Sequence, residues 1–283
     1  MTEPRQPLLI GVTGRKGVGK TYRTFHFIWD YMQYNATTGK IGRKVLVFDP
    51  NQEYNRAEIQ KAGLNYEIQR IALKDIAKFS GSSVVEARRV FPVNDDGTQM
   101  TLRQIDVALN IILEDFRTGL VVIDDINKFM MDFRYSQQLV GQIVTNRHRG
   151  QDIMLQYQSL AKMDTTIWQN IALLRFHQQT DDVDRYSNRI PTFDLVKIGQ
   201  IITNDKYRNG TTYFYCYIDM HNYKISGDFT LEDFKYAVSK YLNSNRTQLM
   251  AYMRQENLNV KNSQEGIEHM FAKIYKAYYG NRK

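Results

Sequence analysis

Gly14, Gly19, Lys20 and Thr21 stand at the spacing G-x-x-x-x-G-K-[ST], between an apolar run (Leu8 to Val12) and a helical pattern. Residues in that order bind a nucleoside triphosphate. Glycines let backbone N–H groups turn inward around an anion, and a helix beginning near Lys20 adds its positive dipole end. The phosphates are expected to be wrapped by Gly14, Arg15, Lys16, Gly17, Val18, Gly19, Lys20, Thr21 and Tyr22, with Lys20 on the β and γ phosphates and the Thr21 hydroxyl on Mg2+. A plain Gly-rich turn would need neither the lysine nor the hydroxyl. A second group follows the apolar run Leu120-Val121-Val122-Ile123: Asp124 and Asp125. Asp124 is placed to hold the metal and Asp125 to orient or deprotonate an attacking water. Apolar strands ending in an acidic turn are common, so the pair gains its meaning from the loop upstream.

The elements needed to position these groups are legible in the pattern. Phe25, Ile28, Trp29 and Met32 recur at helical spacing over Tyr22–Tyr34, and Lys44–Phe48 reads as a buried strand ending at Asp49-Pro50. Ligands of open α/β sheets bind at the carboxyl ends of the strands, so the run Asp49-Pro50-Asn51-Gln52-Glu53-Tyr54 is expected to face the nucleotide, or to be a turn with Glu53 at a helix start. Short helices are expected at 56–62 and 73–79, strands at Tyr66–Ile71 and Val90–Val93, an amphipathic helix over Thr101–Phe116 and another over Ser136–Thr145. The strand Ile153–Gln158 follows. Beyond Pro191 come a helix over Phe193–Thr203, strands at Thr211–Asp219 and Tyr223–Ile225, and a helix opened by Thr230. The chain reads as α/β, a mostly parallel sheet with helices on both faces: residues 1–228 as the core, 229–283 as a helical, basic C-terminal extension. In the extension, Ile267, Met270, Phe271, Ile274, Tyr275 and Tyr278 form a packing stripe beside Lys273, Lys276, Arg282 and Lys283, which suit a neighbouring subunit or a phosphate backbone.

Composition narrows the classes. At 283 residues and 42% hydrophobic, one good core with an appendage is expected, and a net charge of +8 favours an acidic partner such as nucleic acid. A single cysteine, Cys216, excludes an internal disulfide and a cysteine metal site. No apolar run approaches the roughly 20 residues that span a bilayer, so a soluble protein of the host cytoplasm or the virion, with no membrane span, is expected.

Around these motifs the sequence resembles the FtsK/HerA class of P-loop ATPases. DPNQEY is similar to the D-P-x-x-E-Y run of HerA-like members. Asn146-Arg147-His148-Arg149-Gly150 followed by an apolar strand ending in Gln158 resembles the segment after their acidic pair, and Trp168 to His177, with Asp181 to Arg189, their next strand and helix. The resemblance runs from about Leu8 to Arg189, and the small forms it includes are viral genome-packaging ATPases and zonula-occludens-toxin-like phage proteins. It implies the P-loop NTPase fold, ATP and Mg2+ as cofactors, viral DNA as substrate, a pentameric or hexameric homo-oligomeric ring, and a capsid vertex as docking place. It also implies that Gln158 senses the γ-phosphate and that Arg147 or Arg149 reaches a neighbour's nucleotide, where such a finger is worth about 10³–10⁵ in rate. Arg175, Arg185 and Arg189 stay open for that role. Because Arg147 and Arg149 precede the strand beside the acidic pair, they are expected at the nucleotide edge.

Two departures stand out: the family's second acid is commonly glutamate where this chain has Asp125, and no membrane-spanning segment of the toxin-like kind is present. Three other readings remain. A ParA/MinD-like partitioning ATPase is suggested by GRKGVGKT and VFDPNQ, although Arg15 stands where that class has its signature lysine. The shorter Asp125 suits a nucleotide-gated assembly protein with slow hydrolysis. A small-molecule kinase has no readable lid.

Overall fold

The structure, a computed structural model, describes residues 6–35, 39–94, 96–126, 133–259 and 263–276, with the backbone alone at 133–136, 138, 146, 147, 248 and 252. Two compact units divide it. The first gathers the chain up to Val12, Gly19–Gln158 and Lys162–Ile171; the second gathers Thr13–Val18, Ser159–Ala161 and everything from Ala172 onward. Both 172–228 and 229–283 therefore fall in the second unit.

The first unit is built on parallel strands. β1 (Leu9–Thr13), β2 (Val45–Phe48), β3 (Ile68–Arg70), β4 (Ala87–Val90), β5 (Leu120–Ile123) and β6 (Asp152–Tyr157) lie in the order β3-β4-β2-β5-β6-β1. β2 pairs in parallel with both β4 and β5, and β5 with β6, so that Ile123 stands beside Phe48 and Leu155. VLVF and LVVI are apolar without alternation because both faces of these strands are covered, and all eight residues are buried. Around them pack α1 (Lys20–Met32), α2 (Arg56–Lys61), α3 (Ile76–Gly81), α4 (Leu102–Asp115), α5 (Phe133–Val144) and α6 (Thr165–Asn170). α4 starts at a capping box in which Thr101 and Gln104 satisfy each other's backbone N–H.

β4 lies three residues earlier than the expected strand Val90–Val93. Its two central residues, Arg88 and Arg89, interrupt the apolar run; Arg88 bonds Gln69 and Glu86, and Arg89 Nη1 lies 3.4 Å from the Asp49 carboxylate.

In the second unit, β7 (Leu173–His177), β8 (Tyr215–Asp219) and β9 (Lys224–Gly227) are antiparallel neighbours, with Ile218 opposite Leu174 and Ile225. α7 (Phe193–Arg208) lies so close to this ribbon that a Cβ on Gly199 would come within 2.9 Å of Ile218 Cδ1. The C-terminal helices are α8 (Leu231–Ser244), α9 (Arg246–Gln255) and α10 (Ser263–Ile274). The aromatic stripe of α10 is a packing face: Phe271 lies 6.2 Å from Phe234 of α8, and Ile267 and Ile274 are buried. Cys216 is buried and reduced. Tyr278, Arg282 and Lys283 lie outside the described residues. No helix among the described residues is long and apolar enough to cross a membrane.

A single carboxylate ties the loop-bearing strand and helix to the sheet. Asp152 at the start of β6 accepts the Leu8 N–H at 2.7 Å and the Tyr31 hydroxyl of α1 at 2.6 Å, all within the first unit. Asp152→Ala would leave the buried Tyr31 hydroxyl and the part-buried Leu8 N–H without that acceptor, and is expected to lower the unfolding free energy by about 2–4 kcal/mol in urea titration. Loss below about 0.5 kcal/mol would mean that water replaces the carboxylate.

Candidate functional site

The Gly14–Thr21 loop has different reasons for each glycine. A Cβ on Gly14 would stand 2.6 Å from His177 Cβ and 2.9 Å from Val18 Cγ2, whereas Gly17 and Gly19 have φ of 83° and 82°. Gly19 caps α1 from the left-handed region and offers no side-chain acceptor, and helix starts are where anions commonly bind. Val18 is buried and Lys16 exposed. Arg15 behaves differently from the expectation that it wraps the phosphates. Its N–H is donated to Gln178 O at 3.0 Å, and its guanidinium lies 4.6 Å from the Tyr207 ring centroid and bonds the Tyr207 hydroxyl.

Within the first unit, the carboxyl ends of β2, β5 and β6 bring the acidic groups together. Asp49, just after β2, is buried and accepts the N–H groups of Glu53 (2.9 Å) and Tyr54 (3.1 Å), with Arg89 Nη1 at 3.4 Å. Burial pushes its carboxyl upward; those two N–H bonds and Arg89 pull it back. The turn so formed points Glu53 at the loop, and its Oε2 accepts the Thr21 hydroxyl at 3.0 Å. Tyr54 is fixed from two sides, by the edge of the Phe25 ring at 5.4 Å and by a hydrogen bond from Gln156 of β6.

Asp124 and Asp125 follow β5 and are both buried. The Asp125 N–H bonds the Asp124 carboxylate at 2.9 Å, and Asp125 takes a left-handed φ of 49°. Gln158, just past β6, donates to Asp125 Oδ1 at 2.8 Å, joining the two strand ends. Burial first, then the charges of Glu53, Asp125 and Asp49, push the Asp124 carboxyl up to about 7. Three carboxylates thus act together on Asp124. Hydroxyl and carboxylate oxygens are the donors a hard divalent cation takes, and Thr21 and Asp124 fit Mg2+ in kind. Among the described residues no three His, Cys, Asp or Glu side chains form a metal cage of their own.

Strand direction corrects one expectation. Arg149 precedes β6 at its amino end, where its carbonyl accepts the Thr118 N–H and its Nη1 donates to Leu113 O at 3.0 Å. Asp152, after Arg149, pairs with Leu120, and Asp124 lies four residues past Leu120, about 13 Å along the strand at ~3.3 Å per residue. Arg149 is thus at the edge opposite its own acidic pair, and the side chain of Arg147 lies outside the described residues. Arg175 is buried in β7; Arg185 and Arg189 are exposed.

A parallel core with a glycine loop before α1 and acids at the carboxyl edge has counterparts among solved structures. The genome packaging NTPase B204 from Sulfolobus turreted icosahedral virus 2, in complex with AMP, matches over 81% of this chain and 100% of that one, at 16% identity and a TM-score of 0.52. The fold is that of a P-loop NTPase. The same NTPase in complex with ATP-gammaS matches over 79% of this chain and 98% of its own, at 16% identity and a TM-score of 0.50. The N-terminal domain of zonular occludens toxin from Neisseria meningitidis aligns over 65% of this chain and 91% of its own, at 15% identity and a TM-score of 0.37. No protein-family model matches the chain, and no curated protein sequence matches it. On the P-loop NTPase fold, Thr21, Asp124 and Asp125 occupy the edge at which open α/β sheets take their ligands.

Raising a carboxyl's value has a defined sign. The folded chain holds the Asp124 proton more tightly than the unfolded chain, whose carboxyl titrates near 3.8. The stability this lends is fully present below about 4 and is lost as pH rises through about 7. In the absence of divalent cations, Tm is expected to fall across that window more steeply in the wild type than in Asp124→Asn. Parallel curves would show that Asp124 is ionised throughout.

Proposed function

We propose that this chain is an ATPase that drives nucleic acid along a homo-oligomeric ring, with packaging of a viral DNA genome at a capsid vertex as its task. The observation that carries the reading is the convergence, within one unit, of Thr21, Glu53, Asp124, Asp125 and Gln158 at the carboxyl ends of β2, β5 and β6, beside the uncapped start of α1. In this reading Lys20 binds the β and γ phosphates, and Thr21 and Asp124 hold Mg2+. The ion, when bound, offsets phosphate charge and orients the chain of phosphates. Asp125 orients the attacking water and takes its proton, while Gln158, bonded to Asp125, reports the γ-phosphate to it. The fold likeness to a genome packaging NTPase supports the task, and the net charge of +8 supports nucleic acid as cargo. A trans-acting arginine belongs to this reading. From its place at the amino ends of β5 and β6, Arg149 serves only a neighbour whose nucleotide edge faces that end.

One observation favours a slower device. The short Asp125 side chain, on a left-handed backbone and bonded to Gln158, is held close to the strand end, which suits a nucleotide-gated assembly protein that hydrolyses rarely. The ParA-like reading loses support, because Arg15 is engaged by Gln178 and Tyr207 of its own chain.

Lys20→Ala is expected to abolish nucleotide binding, measured with a fluorescent ATP analogue; normal binding and turnover by that variant would remove the reading. Asp125→Asn is expected to bind ATP like the wild type and to lose at least about a hundredfold in turnover. ATP hydrolysis by the wild type that does not rise with added DNA would favour the assembly protein. DNA affinity is expected to fall steeply between about 50 and 200 mM salt, since gripping a backbone releases counterions. A flat dependence in filter binding would argue against a nucleic-acid cargo.

A further inference from the structure

The loop from Asp49 to Tyr54 is built more firmly than a connection between β2 and α2 requires. Both Asp49 carboxylate oxygens are spent on its N–H groups, Arg89 steadies Asp49 from β4, and Tyr54 is clamped between Phe25 and Gln156. Gln52 accepts a left-handed φ of 56° to complete the turn, a conformation non-glycine residues adopt at a cost. All of this delivers one exposed side chain, Glu53, to the Thr21 hydroxyl at 3.0 Å. Beside the pair opens a cleft of about 170 Å³, lined by Thr21, Tyr22, Phe25, Glu53, Glu58 and Lys61, so solvent and ions reach it.

We infer that Glu53 is a positioning residue for the divalent cation, acting through Thr21. A hydroxyl has one hydrogen and two lone pairs. With its hydrogen committed to Glu53, Thr21 must present lone pairs in the remaining directions, toward the cation and phosphates. The carboxylate also makes the hydroxyl oxygen a better donor to the metal, as outer partners of metal ligands do. Glu53 needs no direct bond to the ion for this. Its place after β2, rather than after β5 with Asp124, means that two separate strand ends orient the metal's protein ligands. The inference rests on the proposed nucleotide site and is separable from it by experiment.

The test uses the full chain and a fluorescent ATP analogue, titrated first in EDTA and then with Mg2+ at fixed nucleotide. Glu53→Ala is expected to keep the EDTA affinity and the Tm of the wild type while its half-saturating Mg2+ concentration rises by about 10- to 100-fold. Glu53→Gln retains an acceptor for the hydroxyl but not the charge, and is expected to shift the Mg2+ midpoint less than Ala does. Mg2+ midpoints within twofold of the wild type in both variants would overturn the inference, as would equal losses of affinity in EDTA and in Mg2+, which a merely structural Glu53 produces. If the wild type itself bound no nucleotide, the functional reading would fail before Glu53 was tested.

Discussion

The site is organised by negative charge that the fold forces together. Four carboxylates, Asp49, Glu53, Asp124 and Asp125, share the carboxyl edge of two adjacent parallel strands, β2 and β5. Asp49 is offset by two backbone N–H groups and a guanidinium, Glu53 by a hydroxyl, Asp125 by an amide. Asp124 has the least internal relief: the N–H of Asp125 is opposed by burial and three neighbouring charges. A buried carboxylate in that position either takes a proton or takes a cation. Burial and the three neighbouring charges raise the Asp124 carboxyl to about 7, so the neutral form is favoured far more than for an exposed aspartate. The surrounding apolar strands set how far burial drives this choice.

The parts that were legible in the sequence share one property: they are local. G-x-x-x-x-G-K-[ST] sits on consecutive residues whose glycines have intrinsic backbone consequences, and LVVI-Asp-Asp is an uninterrupted apolar strand with its acids directly attached. Where the deciding contact was distant, reading failed or stayed open. Arg88 and Arg89 obscured β4 because their partners, Gln69 and Asp49, are far away in sequence. Arg149 was assigned to the wrong edge because a residue preceding a parallel strand lies at its amino end, opposite to the residue following the neighbouring strand. The turn reading and the ligand-facing reading of Glu53 were equally open from the sequence. Nothing in DPNQEY itself says that its acid will meet Thr21, although Asp49 four residues earlier, bonding the Glu53 N–H, is the kind of side-chain-to-backbone contact that shapes such turns.

Part of the loop is held by contacts within the second unit. Thr13–Val18 is held inside the second unit by contacts that involve no phosphate. Gln179 bonds the Thr13 hydroxyl, His177 lies under Gly14 with its Nδ1 3.2 Å from Val18 O, and Gln178 O takes the Arg15 N–H. Gly17 meets nothing where its Cβ would be, so it is required by its φ; Gly14 is required by space. The loop's shape is therefore set before a ligand arrives, which removes an ordering cost from binding. Arg15 contributes its N–H to Gln178 and its guanidinium to Tyr207, and so acts as an anchor of the loop.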